Sequence, residues 1–490
     1  MVSIHRMGSS HLINVTTPLI REGFSLNKQT GFVPPHQPLS RLPAAWEAWE
    51  ANLDAAVSQK LQLAERVEAI TDENKRTAEE AKAREWRNDV EKMPLLAIDN
   101  LNSSEEALRR AHHVLSILLH FYAHTVPSAE SIIIPRSLTI PLLQVSSFLR
   151  HPPINTYSDN SLYNWAHREP RGEGVLPTID NLRCQTIFSG TADEDEFHLT
   201  STRIELRGGE ALELLRLIVD EISAGDTGAL ERITGHLGRV AVVIQELREI
   251  LLSLKKTVDP EVFYNEIRPW LTGADGDPWG RPWIFEGKDE VESWAEMSEV
   301  TGSTAGQSSL IQALDSYLGV EPDSGGGQST YSSQPGKKSF QERVRSYMPY
   351  QHREYLERLR NNQHQLRALV RGVVAEEQDS LVVKAYDSAV KALKEFRDAH
   401  MIIVTLYVIG PARRAGKKSA TVVADSQATP GATRKSGVGS SEETDTRLME
   451  QAFGGNGESD DALKGTGGTD LVRFLKGIRD QTALAYLRNK

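Results

Sequence analysis

Apolar residues recur at helical spacing in most long segments of the chain, and the clearest pattern runs from about Asp379 to Ile409. The apolar positions in this segment are separated by one or two helical turns, which predicts a single long amphipathic helix. The members of its apolar stripe are Tyr386, Leu393, Phe396, Ile403, Val404 and Tyr407.

His400 lies inside this apolar stripe. A buried imidazole needs partners for its ring nitrogens. Two interpretations follow from the local pattern alone: a core histidine bonded to a backbone carbonyl, or a ligand of a metal or haem iron. The segment itself does not decide between them.

Helical patterns also dominate the rest of the chain, and strand signals are few and short, so the predicted fold class is all-α. Asp259-Pro260 predicts a helix start, with Asp259 as the N-cap and Pro260 in the first turn. The run from Ile134 to Pro141 predicts an ordered connection bounded by prolines. The other predicted helices are one or two between Trp46 and Met93, then Ser104–His124, Leu142–Leu149, Gly209–Ala224, Ala229–Leu254 and Asp470–Arg488.

Composition along the chain predicts how it is divided into domains. Residues 1–30 are polar and without periodicity, which is typical of a poorly ordered extension. Residues 168–180, rich in proline and glycine, predict a linker between a small helical domain, 31–167, and a large helical domain, 181–490. Residues 410–445, rich in charged and small residues, predict a disordered insertion in the large domain.

Charge and cysteine content exclude several classes of function. The 490 residues carry a net charge of −11, which argues against nucleic acid or an anionic membrane as the main partner. No stretch approaches the roughly 18 consecutive apolar residues of a membrane span, and the N-terminus lacks a secretory signal. Cys184 is the only cysteine, which excludes intrachain disulfides and iron–sulfur clusters. We therefore expect a cytoplasmic protein.

Two further features are candidates for ligand binding. Arg268 precedes Pro269, so it lies where a helix ends or kinks, and it either clamps a carboxylate through two hydrogen bonds or forms a surface salt bridge. The segments 301–309 and 464–470 are rich in glycine and small residues, which lets a backbone approach a flat ligand closely, although a plain flexible loop has the same composition. Neither matches a P-loop, and the motifs of serine hydrolases and zinc proteases are absent from the sequence.

Several short segments, in this order and spacing, carry a resemblance to a known family. They are Gly31-Phe32-Val33-Pro34-Pro35, Leu95-Leu96-Ala97-Ile98-Asp99, Ile134-Pro135-Arg136, Ser303-Thr304-Ala305-Gly306-Gln307-Ser308-Ser309, Tyr347-Met348-Pro349, Ile402-Ile403-Val404-Thr405 and Lys464-Gly465-Thr466-Gly467-Gly468-Thr469-Asp470-Leu471. Together they resemble the indoleamine 2,3-dioxygenase family from about Gly31 to the C-terminus. The long N-terminus and the insertion suggest a fungal member.

The resemblance implies ferrous haem b enclosed by the large domain, with the small domain covering its distal side. It implies His400 as the iron ligand, Asp315 and Arg397 as the pair that supports the helix of His400, and Ala305 in the loop over the haem. Catalytic roles fall on Ser201 and Arg268, with Arg268 also binding the substrate carboxylate. The other substrate contacts that it implies are Tyr157, Phe197, Phe263, Tyr264 and Thr466.

The reaction that the resemblance implies is opening of the indole ring of L-tryptophan by dioxygen to give N-formylkynurenine. This is the first step of the kynurenine pathway and lies upstream of NAD biosynthesis. A monomer supplied with electrons by a separate reductant is implied as well.

Some residues depart from the family pattern. His198 stands where the animal enzymes have phenylalanine, Asn160 and Ser161 replace a Cys-Val pair, and Ser303 replaces a glycine. His198 either forms a hydrogen bond with bound oxygen, ligates the iron and lowers the activity, or points outward. The alternatives to tryptophan oxidation are a haem protein of this fold that binds oxygen or oxidises other indoles, and a haem-free helical scaffold that binds partners through its glycine-rich loops.

Overall fold

The computed structural model describes residues 26–172, 174–291, 300–320, 340–362, 364–376, 380–415, 466 and 471–487. Helices make up most of this part of the chain, so the prediction of an all-α fold is confirmed. The helices are α1 Glu47–Ser58, α2 Ala64–Glu68, α3 Glu73–Glu91, α4 Glu105–His124, α5 Arg136–Leu149, α6 Ala192–Ala224, α7 Ala229–Thr257, α8 Pro260–Val262, α9 Ser309–Tyr317, α10 Phe340–Arg345, α11 Tyr350–Asn362, α12 His364–Glu376, α13 Leu381–Val404 and α14 Leu471–Ala483.

Short strands join segments that are distant along the chain. Strand β1, Ile132–Ile134, pairs in parallel with β4, Trp283–Phe285. Strand β2, Trp165–His167, pairs antiparallel with β3, Leu182–Cys184, so the proline- and glycine-rich segment between them connects two paired strands.

Three long helices form the framework of the C-terminal part. Helices α6 and α7 pack against each other, and α13 packs along α7. The connection between α6 and α7 begins at Gly225, whose φ of 61° lies in the left-handed region that glycine adopts without strain. Helix α13 continues as a π-helical turn, Thr405–Ile409, so the predicted helix from 379 to 409 is confirmed from its N-cap Ser380 onward.

The boundaries of three predicted elements are wrong. Helix α5 begins at Arg136 and not at Leu142, because Pro141 removes one backbone hydrogen bond without ending the helix. Helix α6 begins at Ala192, with Thr191 as its N-cap, and not near Gly209. The segment predicted as one or two helices after Trp46 forms α1, α2 and α3.

A continuous hydrophobic core extends from Phe32 to Leu487 and includes buried residues of both predicted domains. A smaller cluster around Trp165 lies beside the first half of α6. The division into domains at residues 168–180 stays a prediction. No helix in the described ranges has both the length and the apolar character of a membrane span. Residues 1–25, 416–445 and most of the segment 464–470 lie outside the described residues, whereas 410–415 are helical.

Candidate active site

A cavity lies between α6, α7, α9, α13 and α14, and its walls leave about 1950 Å³ free of protein atoms, counting open water at its mouth. Much of the lining is apolar, with Leu251, Leu254, Phe396, Ile403 and Val404 among its residues. The structure brings almost all of the residues predicted for the site to this one cavity. They are Tyr157, Phe197, Ser201, Phe263, Arg268, Ala305, Asp315, Arg397, His400 and Thr466.

His400 faces the cavity from the last turns of α13. Burial, and secondly the positive charge of Arg397, lower the pKa of His400 to about 4. No described residue forms a hydrogen bond with its ring, so the interpretation as a core histidine bonded to a carbonyl is not what the structure shows. The result is a neutral imidazole with an uncommitted lone pair at the cavity.

Arg397 and Asp315 form a buried ion pair one turn from His400. Arg397 also donates to the hydroxyl of Thr482, so the pair joins α13 to both α9 and α14. Burial raises the pKa of Asp315, and the charge of Arg397 only partly opposes this effect. The pair fixes the orientation of the helical turn that carries His400.

Replacing Asp315 by asparagine should lower the free energy of unfolding by about 3 kcal/mol or more, because Arg397 would keep its buried charge without a partner. The matched control is Asp398→Asn on the same helix, since Asp398 is partly exposed and pairs with Lys394 and Arg479. That change should cost about 1 kcal/mol or less. Urea unfolding measures both, and equal losses would contradict the assignment of Arg397 to a buried pair.

Aromatic rings form one side of the cavity. The ring centroids of Phe197 on α6 and Phe263 in a π-helical turn, Phe263–Ile267, lie 4.7 Å apart. Tyr407 meets Phe263 edge-on, and its hydroxyl donates to the backbone carbonyls of Leu254 and Val258. These contacts hold two flat apolar surfaces at a fixed angle, which suits an aromatic ligand.

Arg268 follows this π turn and begins a 3-10 turn, Arg268–Leu271, in agreement with the predicted end of a helix. Burial lowers the pKa of Arg268. Its side chain lines the cavity and also a neighbouring groove. Tyr264 lies only on the groove side, with its ring centroid 5.6 Å from the guanidinium carbon of Arg268, so the structure places Tyr264 outside the main cavity. It points away from Phe263 because successive side chains on a helical turn face different directions.

The loop from Thr301 to Gly306 is held next to Arg268 by close backbone contacts. A side chain at Gly302 would come within 2.3 Å of the Leu271 carbonyl oxygen, so only glycine fits at this crossing. The Ser303 amide donates to the same carbonyl at 3.0 Å, and the Thr466 hydroxyl donates to the Ser303 carbonyl at 2.6 Å. These contacts place the predicted residues Ala305 and Thr466 at the cavity.

Ser201 and Tyr157 also line the cavity, as do the departures Asn160, Ser161 and Ser303. The Asn160 amide donates to the Ser303 hydroxyl at 3.2 Å, so two of these departures contact each other. His198 also lines the cavity, and its Nε2 atom lies 3.5 Å from a carboxylate oxygen of Glu194. The His198 ring therefore lies between the cavity and the Glu194 carboxylate of the same helix.

Sequence reasoning missed a buried polar cluster behind this wall. His112, His151 and Asp159 place ligand-type atoms within 4.8 Å of one another. Asp159 accepts hydrogen bonds from the backbone amide and the hydroxyl of Thr156, and His112 bonds both Asp159 and the Pro152 carbonyl. The cluster holds the π-helical turn Ser158–Leu162, which carries Asn160 and Ser161. Two adjacent histidines on an apolar helix were the available signal.

The family model described as Indoleamine 2,3-dioxygenase matches residues 20–485. The chain belongs to the indoleamine 2,3-dioxygenase family. It is 29% identical over 488 residues to indoleamine 2,3-dioxygenase of Saccharomyces cerevisiae, covering 96% of this chain and 95% of the relative. It is 27% identical over 469 residues to indoleamine 2,3-dioxygenase 1 of Rattus norvegicus, covering 96% of each. A 6-hydroxytryptophan 2,3-dioxygenase of Fusarium equiseti is 27% identical over 471 residues, covering 94% of this chain and 96% of the relative.

Members of the indoleamine 2,3-dioxygenase family are haem-dependent dioxygenases that act on indoles, and the chain is therefore a dioxygenase of this kind. The cavity fits haem. Many of its wall residues are apolar, and the neutral ring of His400, which forms no hydrogen bond with a described residue, offers a nitrogen ligand to iron. Arg397, three residues before His400 on the same helix, pairs with Asp315.

Proposed function

We propose that the protein opens the indole ring of L-tryptophan with dioxygen to give N-formylkynurenine. The observation that carries the proposal is one cavity with an uncommitted neutral imidazole at His400 and a guanidinium at Arg268. The first is a donor for haem iron, and the second recognises an amino-acid carboxylate. Haem b in its ferrous form supplies the activation of dioxygen.

The role of the protein is to hold the substrate in a reactive orientation. Arg268 binds the carboxylate, while Phe197 and Phe263 contact the indole and exclude water. Thr466 lies next to Ser303, and its hydroxyl group offers a polar contact to the substrate ammonium group. Ser201 lines the same cavity from α6 and offers a hydroxyl group to the substrate.

Polar residues in the wall favour a second candidate substrate, 6-hydroxytryptophan. One relative bears that activity in its name. Asn160 and Ser161 line the cavity and supply an amide and a hydroxyl, which are able to form a hydrogen bond with a hydroxyl substituent on an indole. A site that forms a hydrogen bond with a substrate hydroxyl discriminates strongly against the analogue that lacks it.

The test is to load the purified protein with haem, reduce it without oxygen, and add dioxygen with each indole separately. Multiple turnovers of L-tryptophan to N-formylkynurenine would support the first candidate. Product from 6-hydroxytryptophan with at least tenfold higher kcat/KM, about 1.4 kcal/mol, would favour the second. Stable oxygen binding without product from either would replace both with an oxygen-binding role. A monomeric state, a cytoplasmic location and a separate reductant stay predictions.

A further inference from the structure

Glu205 is a buried carboxyl group on α6, one helical turn after Ser201 and behind the cavity wall. It is 1% exposed. Its Oε1 atom accepts hydrogen bonds from the Tyr157 hydroxyl at 3.0 Å and from the Ser308 hydroxyl at 2.5 Å. Its Oε2 atom has no hydrogen-bond partner among the described residues. A carboxylate without a cationic partner is costly to bury, so its position calls for a reason beyond packing.

Burial raises the pKa of Glu205 to about 7, and the two hydroxyl groups oppose this effect only in part. The groups that face it are Tyr157 before the π turn 158–162 and Ser308 at the start of α9. Helices α7 and α12 also pack against α6, but no charged side chain of the described residues changes the pKa of Glu205. The group therefore exchanges its proton in the physiological range.

Tyr157 connects this carboxyl group to the cavity. Burial and the charge of Glu205 raise the pKa of Tyr157, while the nearby hydroxyls of Ser308 and Ser201 lower it. Both Tyr157 and Ser201 line the cavity. Ser201 and Glu205 are four residues apart and lie on the same face of α6. The Tyr157 hydroxyl is thus placed between Glu205 behind the wall and Ser201 on its surface.

We propose that Glu205 is a positioning residue that determines, through Tyr157, whether Ser201 presents a hydrogen or a lone pair to the molecule in the cavity. The inference rests on the proposed function only for the identity of that molecule. It adds a residue that the resemblance to the family did not mark.

Hydrogen-bond direction gives the mechanism of this effect. A carboxylate only accepts, so Tyr157 must donate to ionised Glu205 and its oxygen then accepts the hydrogen of Ser201. Ser201 in that state presents lone pairs to the cavity. Protonated Glu205 carries its hydrogen on Oε1 and donates it to the Tyr157 oxygen, which frees the Tyr157 hydrogen to be donated to Ser201. The hydrogen of Ser201 is then available to the molecule in the cavity, and no proton leaves the chain of residues.

Ser308 provides the competing explanation, a purely structural one. Its hydroxyl accepts from the Ile311 amide at 3.3 Å and so caps α9, the helix that carries Asp315. Glutamine at position 205 keeps an oxygen that accepts from Ser308 and cannot ionise. A pH-dependent readout therefore separates the proposed role from capping of α9.

The experiment uses the haem-loaded protein and three variants: Glu205→Gln, Tyr157→Phe and, as the matched control, Glu210→Gln. Glu210 lies on the same helix but forms ion pairs with Arg207 and Arg239 at the surface. Infrared difference spectra between about pH 5.5 and about pH 8.5 detect the protonated carboxyl group of a buried glutamic acid. Wild type, Tyr157→Phe and Glu210→Gln should all show this band titrating, and Glu205→Gln should lose it.

The second readout is the dependence of kcat and KM for L-tryptophan on pH. Wild type and Glu210→Gln should show an inflection near neutral pH, and both Glu205→Gln and Tyr157→Phe should lose it. An inflection kept by Tyr157→Phe, or a wild-type band that does not titrate, would overturn the proposal. If tryptophan is not turned over, the proposed function fails separately. Equilibrium binding of L-tryptophan across the same pH range then tests the inference, and identical pH dependence in wild type and Glu205→Gln would refute it.

Discussion

Replacing His400 by alanine should give a folded protein that retains no haem after purification. His400 lines the cavity with a neutral ring that forms no hydrogen bond with a described residue, so its nitrogen is available to iron. Alanine offers no such ligand. Dioxygenase activity should therefore fall below detection. Haem content per chain, measured by absorbance of the pyridine complex, checks the prediction directly.

The control for this experiment is His36→Ala, because His36 is exposed on a loop and does not line the cavity. Its haem content and activity should equal those of the wild type. Circular dichroism should show the same helical content in both variants, since α13 remains packed against α7. Full haem occupancy in His400→Ala would show that another residue holds the iron.

Replacing Arg268 by alanine should lower kcat/KM for L-tryptophan about 100-fold, since losing one partner of a hydrogen-bonded charge pair costs about 2 to 5 kcal/mol. Most of the loss should be in KM, because the carboxylate is bound equally in the substrate and in the transition state. Arg268→Lys should recover only part of it, since lysine keeps the charge but not the planar pair of donors. Steady-state kinetics of the haem-loaded variants provide the measurement.

Tryptamine gives the matched control, because it is tryptophan without the carboxylate. If Arg268 binds that group, Arg268→Ala should change kcat/KM for tryptamine much less than for L-tryptophan. An equal loss on both substrates would mean that Arg268 supports the cavity wall and does not recognise the carboxylate. Arg268 also contacts the ring of Tyr264, so this distinction matters.

Helices with one apolar face were predictable from the sequence. Helix α4 begins at Glu105, directly after its N-cap Ser104, whose hydroxyl accepts from the Ala107 amide, and its apolar residues are buried in the core. The first half of α6 was missed because polar residues lie on its buried side, including His198, Thr200 and Glu205. These residues face the cavity or its supporting wall, and they hide the periodicity that identifies a helix.

The candidate site was predictable in its residue types but not in its internal connections. The apolar stripe around His400 predicted a buried imidazole. Whether that imidazole is a core residue or a ligand depended on the surface that it faces in the folded protein. That surface comes from segments far away in the sequence. The bond between Tyr157 and Glu205 spans 48 positions, and no local pattern predicts such a contact.

In sequence order, the residues that line the cavity begin with Tyr157 and end in helix α14. This helix contributes Leu471, Phe474, Leu475 and Ile478. Synthesis proceeds from the N-terminus at about 5 to 20 residues per second, so this side of the cavity is the last to leave the ribosome. A nascent chain that has already formed α6, α7 and α13 still exposes the apolar surface meant for the cofactor. Closure of the cofactor cavity therefore depends on the docking of α14, which is synthesised after the other helices that line it.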